Sequence, residues 1–273
     1  MNMLLDKKLC NKDGLCAKAC PIEIIVTDPS SGFPSMVEWG PKACISCGHC
    51  VAICPTGALS LDGMNSSECR ELKIDWRVAP DKIEEFLKGR RSIRRFKETS
   101  LDRASLEKLI DIARYAPSGI NRQPVCWAVI SGREKVREVA GLTIEWMRSL
   151  VKDASPLAES LRMENIIKSW ERGSDPITRG APNLVIAYSL KDDMTAPAAC
   201  TIALTYLEIA AASFGFGACW AGYVHMALNM SPEVNKLVGL SKRTSSFGAM
   251  LLGYQAIEYR RIPGRNRPHI IWR

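Results

Sequence analysis

The opening residues, MNMLLDKKLC, lack an apolar run long enough for an export signal. A cytoplasmic chain is expected, and a disulfide framework is not. No G-x-G-x-x-G turn is present, so that route to dinucleotide binding has no support. Aromatics make up only 7%, and no run of arginines has aromatics placed to stack bases. One long apolar stretch stands out. Between Ala196 and Tyr223 the only charge is Glu208. That stretch is long enough to raise a membrane span. However, no basic cluster flanks it closely, and it contains Thr201, Thr205 and Ser213 before breaking at Gly215 and Gly217. The expectation is a helix buried on all sides, in a core or a dimer interface, with no membrane partner.

What is present is ordinary for a globular chain of one or two domains. There are 273 residues (30.2 kDa), 47% hydrophobic and 24% charged. The net charge of +8 is uneven. Residues 1–75 carry 7 Lys/Arg against 9 Asp/Glu, and the rest carries 30 against 20. Seven of the eleven cysteines fall in the first 54 residues. A local metal centre is the leading explanation.

Those cysteines form a repeat with a constant offset of 34. Cys10 matches Cys44, Asp13 matches Cys47, Cys16 matches Cys50, Cys20 matches Cys54, and Pro21 matches Pro55. The second copy, CISCGHCVAICP, is a complete C-x2-C-x2-C-x3-C-P run. Three thiolates on one tight loop can reach three corners of an iron–sulfur cubane, while the fourth points away. Zinc is the chemical alternative, and the interleaved repeat with its prolines argues against it. Asp13 stands where the pattern wants cysteine, and its oxygen is a harder ligand than a thiolate. The other reading of Asp13 is a turn residue in a loop that has lost its cluster. His49 reads as a solvent-facing neighbour of the cluster. Cys69, Cys126, Cys200 and Cys219 read as small buried hydrophobes.

This front segment resembles bacterial two-cluster ferredoxins. The resemblance implies that Cys44, Cys47, Cys50 and Cys20 hold one 4Fe-4S cluster. Cys10, Cys16, Cys54 and the Asp13 position would hold the other, as a 3Fe-4S or an Asp-ligated 4Fe-4S cluster. The strands IEIIV and ALSL would pair with each other beneath them.

The assigned domains are 1–70, a linker at 71–84, and 85–273. A short helix should open near Asp81, with Ile83, Phe86 and Leu87 on one face. Leu106, Leu109, Ile110 and Ala113 predict a helix over 102–115 capped by Asp102. Strands are predicted at Val125–Ile130, Leu184–Tyr188 and Phe247–Tyr254. Ser231-Pro232-Glu233 starts a helix that Gly239 stops. The fold class is α+β.

Basic residues concentrate in KGRRSIRRFK and RRIPGRNRP. With no nucleic-acid motif beside them, a phosphate ester is the more economical ligand, since arginine forks match phosphate oxygens. RRSIRRF, APSGINRQP, GACWAGY and PGR occur in that order. The order resembles FMN-dependent nitroreductases and covers roughly 85–273. The resemblance implies a three-layer α-β-α FMN domain and a homodimer. Arg90, Arg91, Ser92 and Arg94 would grip the FMN phosphate and ribityl chain. Pro117, Ser118, Gly119, Asn121 and Gln123 would approach from the other subunit. Cys219, Trp220, Ala221 and Gly222 would line the ring, and Arg265 would return to the phosphate. Arg95, Arg260 and Arg267 read as solvated, and His225 and Tyr223 as core. Residues 134–180 read as a lid. The expected function is reduction of an electron-poor small-molecule acceptor, a nitroaromatic, quinone or activated alkene. External ferredoxin and NAD(P)H both remain as donors. Relay to a protein partner is the second reading, and a redox sensor on nucleic acid the third.

Overall fold

The computed structural model describes all residues 1–273. The chain falls into two compact units: Met1–Val78 with Ile120–Arg122, and Ala79–Gly119 with Gln123–Arg273.

In the first unit β1 (Met3–Leu5), α1 (Leu15–Lys18), β2 (Ile25–Thr27), β3 (Pro34–Met36), α2 (Gly40–Ala43), α3 (His49–Ile53) and β4 (Leu59–Leu61) follow in order. The sequence repeat is also a backbone repeat. Gly14 and Gly48, 34 residues apart, precede α1 and α3 with φ 69° and 72°. That left-handed turn disfavours side chains and lets each short helix start directly after the loop. Cys16 and Cys50 follow at equivalent places and are equally buried. They share a small core with Ile24, Ile25, Val51, Leu59 and Leu61.

The expected pairing of IEIIV with ALSL is corrected. β2 pairs with β3, Ile25 opposite Met36, and β1 pairs with β4, Leu5 opposite Leu59, all antiparallel. The reason is the turn after β2. The Asp28 carboxylate accepts from the N–H groups of Ser30 and Ser31 and from the Ser30 hydroxyl. The chain therefore folds straight back onto its sequence neighbour. These bonds, the Ser30 hydroxyl foremost, hold the Asp28 pKa down at about 2.

The second unit opens with α4 (Pro80–Gly89) and α5 (Arg103–Ala113). The Asp102 carboxylate accepts from the Ser105 N–H at 2.7 Å, the expected cap. β5 (Cys126–Ser131), α6 (Arg133–Lys152), α7 (Pro156–Ser160), α8 (Met163–Glu171) and β6 (Asn183–Leu190) follow. Then come α9 (Ala196–Ser213), β7 (Phe216–Trp220), α10 (Gly222–Met230), α11 (Pro232–Val238) and β8 (Thr244–Tyr254). Ser231 accepts from the Val234 N–H, and Gly239 ends α11 at φ 79°.

The sheet order is β5-β6-β8-β7, antiparallel throughout. Successive residues of a strand point to opposite faces. Leu184, Ile186, Ala249 and Leu251 face a core built with α6, α8, α10 and α11. Val185, Ala187, Met250 and Leu252 face a second core built with α5 and α9. Both faces are covered, which is why these strands read as continuous apolar runs. The domain is the expected three-layer α-β-α sandwich.

Three expectations need adjustment. α9 is long and apolar enough to cross a membrane by length and composition, and half of it is buried in this fold. Ala199, Cys200, Ala203, Leu204, Leu207 and Ala211 pack on the sheet and α5, while Thr201, Thr205 and Tyr206 are exposed. It is thus one-sided in this chain and not enclosed all round. Cys69 and Cys126 are exposed, unlike Cys200 and Cys219, so only two of the four isolated cysteines are buried. Within 134–180, Val136, Ala140, Ile144, Met147, Met163 and Ile167 belong to the first core, so this region is packed helix.

Candidate functional site

Two cavities in the first unit sort the cysteines. One is lined by Cys10, Asp13, Cys16 and Cys54, the other by Cys20, Cys44, Cys47 and Cys50. These are the two groupings that the resemblance to two-cluster ferredoxins implies. No three His, Cys, Asp or Glu side chains close around a single point. Each quartet instead lines a cavity, and its soft sulfur donors, three in one set and four in the other, suit a multi-atom cluster.

Burial sets the thiol acidity at the repeat-related pair. It raises the Cys16 pKa and pushes Cys50 up to about 11. Burial also opposes ionisation of Cys54, but the Thr56 hydroxyl and nearby N–H groups outweigh it, and the pKa falls. The Asp13 Oδ1 accepts from the Leu15 N–H at 2.9 Å, in a turn just ahead of α1, while Asp13 lines its cavity. His49 is exposed at the rim of the other. Asn121 is grouped with this unit, where its Nδ2 donates to the carbonyls of Ile45 and Ser46.

In the second unit the arginine segment is fastened to the strands. The Ile93 N–H donates to the Ala218 carbonyl at 2.8 Å, the Lys97 N–H to Tyr254 and the Ala256 N–H to Arg95. Ile93 is 5% exposed and covers Gly217. Arg90 to Arg94 are thereby held along the GACW strand β7. Arg90 Nη1 donates to Glu208 Oε1 at 2.8 Å, and Trp220 Nε1 donates to Glu208 Oε2 at 3.2 Å. Trp220 in turn lies over Gly248, where a Cβ would fall 3.0 Å from the indole. The Ala221 N–H donates to the Ala249 carbonyl, fixing the start of α10. Burial raises the Cys219 pKa against the lowering pull of Arg94, Arg179 and Arg90.

The remaining expected residues stand apart from that cluster. The Ser118 hydroxyl accepts from the Gln123 N–H at 2.9 Å, and Gly119 rests against Thr195. Pro117 shares this loop. Arg265 is exposed in the C-terminal segment, as are Arg260 and Arg267. His225 is partly buried, with Nδ1 3.1 Å from the Ser246 hydroxyl, and Tyr223 packs against the first core.

Sequence reasoning missed two residues. Glu208 was marked only as the lone charge in an apolar run, and that was the available signal. Arg179 gave none. It is delivered by a turn in which Asp175 accepts from the N–H groups of Ile177, Thr178 and Gly180, and it adopts φ 57°.

Comparison with known proteins agrees with both halves. Residues 87–254 match the nitroreductase family, and residues 2–55 match the 4Fe-4S dicluster domain. A Methanothermobacter thermautotrophicus protein with the provisional name NADH dehydrogenase/NAD(P)H nitroreductase is 26% identical over 183 residues, 67% of this chain and 82% of that protein. A Bacteroides fragilis nitroreductase with bound FMN shares the fold at a TM-score of 0.56 and 22% identity, covering 70% of this chain and 98% of that one. A Desulfitobacterium hafniense nitroreductase with bound FMN does so at 0.57 and 20%, covering 71% and 100%. With the nitroreductase match spanning more than half its length, this chain belongs to the nitroreductase family and carries a 4Fe-4S dicluster domain ahead of the family domain.

Proposed function

We propose that the chain is an FMN-dependent oxidoreductase that reduces an electron-poor small molecule, a nitroaromatic, quinone or activated alkene. The observation that carries this reading is the fastening of Arg90–Arg94 to the Ala218–Trp220 strand, through Ile93 and through Glu208. It gathers phosphate-matching guanidiniums beside an indole and an open glycine in one unit. No neighbouring atom lies within 4 Å of where a Cβ on Gly222 would be, so backbone there is free to approach a flat ring. The donor set therefore fits a flavin mononucleotide.

Arg90, Arg91, Ser92 and Arg94 would hold the phosphate and ribityl chain. Cys219, Trp220, Ala221 and Gly222 would line the ring. Pro117, Ser118, Gly119 and Gln123 would come from a second copy in a homodimer, and Arg265 would add to the phosphate grip. Bound there, FMN takes up electrons singly and delivers them in pairs as a hydride, while the iron–sulfur clusters supply them one at a time. The chain's own contribution is cationic. Arg94, leaning toward the N1–C2 edge of the ring as the family resemblance implies, would favour the reduced, anionic form and raise its potential. Protons for the acceptor would come from water. The Cys20, Cys44, Cys47 and Cys50 cavity would hold a 4Fe-4S cluster. The Cys10, Cys16 and Cys54 cavity would hold a cluster with Asp13 in place of one thiolate, either three-iron or oxygen-ligated. Electrons would enter the clusters from an external ferredoxin or NAD(P)H, in the cytoplasm.

The test is anaerobic. Reduced protein is mixed with a panel of nitroaromatics and quinones, and flavin reoxidation is followed by absorbance. Rapid reoxidation by the panel supports a small-molecule reductase. Reoxidation only by another redox protein would replace this reading with electron relay.

A further inference from the structure

Glu208 is a carboxylate on an otherwise apolar helix, 7% exposed, with both oxygens engaged. A buried ion pair is weak evidence for stability, because desolvation offsets most of its attraction. Its place in α9 therefore calls for another reason. Oε1 takes one N–H of Arg90, and Oε2 takes the Trp220 indole N–H. The two partners lie far from each other in sequence, one before and one after the carboxylate.

The Arg90 side chain keeps 26% of its surface exposed. A guanidinium has five N–H donors in a rigid fork. With Nη1 bound to Glu208, the fork's orientation is fixed and its other donors remain for a ligand. Trp220, gripped by the second oxygen and seated on Gly248, is fixed in the same way.

Resting on the flavin assignment above, we infer that Glu208 is a positioning residue for FMN: it aims the Arg90 fork at the ligand's phosphate. It touches no cofactor itself. Its effect belongs to the phosphate and not to the ring, and this separates it from a general role in folding.

The test uses full-length protein with its clusters intact and its flavin removed by dialysis. FMN and riboflavin, which lacks the phosphate, are titrated by flavin fluorescence quenching. Glu208→Gln leaves one neutral oxygen for two donors, so the charge-assisted bond that fixes Arg90 is lost whichever way the amide turns. FMN affinity should fall about tenfold or more, the range seen when the outer partner of a ligating group is removed. Riboflavin affinity should stay as in the parent. Equal loss for both ligands, or no loss for either, overturns the inference. If the parent protein binds neither ligand, the flavin assignment itself has failed, and this inference with it. Should Glu208→Gln be unstable, the double variant R90M/E208Q leaves no buried charge alone and replaces it. It must show the same loss of FMN preference over riboflavin, and an undiminished preference overturns the proposal.

Discussion

Ile93 lies on Gly217 so closely that a Cβ added at 217 would fall 2.7 Å from Ile93 Cγ2. The arginine segment rests on that contact, because the neighbouring Ile93 N–H to Ala218 bond runs beside it. Gly217→Ala should push Ile93 and its flanking arginines off β7. The overpacking should cost about 1–3 kcal/mol in thermal or denaturant unfolding. Flavin retention on gel filtration should fall in parallel. A variant that unfolds and retains flavin like the parent would show that the segment is not seated this way.

Leu204 is fully buried between α9 and the sheet, against Gly248. Leu204→Ala should destabilise the protein by about 2–5 kcal/mol. Thr201→Ala, on the exposed side of the same helix, should stay within about 0.5 kcal/mol. Equal effects at the two sites would contradict a helix buried along one face.

How legible this molecule is depends on how local the signal is. The cysteine sets were readable because the repeat resembles two-cluster ferredoxins, in which the fourth cysteine of each run serves the other cluster, and the cavities group these side chains in the same crossed way. Asp102, Ser231 and Gly239 mark helix ends through bonds to their own neighbours. β6 and β8 show as apolar runs because both faces are covered. β7 was not seen, since Phe216–Trp220 carries a glycine and continues the apolar run that ends α9. The pairing of β2 was misread because a side-chain-capped turn, not the apolar pattern, decides it. Arg90 was chosen for its motif, but its fixing partner lies 118 residues away, and no local pattern carries that information. Arg179 owes its place to a turn organised by Asp175, and it has no motif of its own.

Burial lowers the pKa of His225 below its ordinary 6.5. Above that value the side chain is neutral in both folded and unfolded chains and contributes no pH dependence. As pH falls through 6.5 the unfolded chain takes up a proton that the folded chain resists, so stability declines toward the lower, folded value. His225→Asn should remove this part of the dependence. The check is the change in melting temperature between about pH 8 and about pH 5.5, which should be smaller in the variant. An identical change would place the imidazole in solvent.

Asp13 lines its cavity in the place of a thiolate. If the cluster there lacks one iron or holds an oxygen ligand, Asp13→Cys should alter it alone. Anaerobic EPR of the parent should show an oxidised three-iron signal or an atypical four-iron one, and the variant an ordinary four-iron cluster. Cys47→Ala should instead remove the cluster of the other cavity and leave the Asp13 signal in place. Spectra unchanged by Asp13→Cys would remove Asp13 from the cluster.

The most direct measurement is cofactor content in protein isolated without oxygen. Iron, acid-labile sulfide and flavin are assayed on the same sample. The account predicts near-stoichiometric FMN per chain together with iron and sulfide for two clusters. Colourless protein, with neither iron nor flavin near those levels, would contradict it.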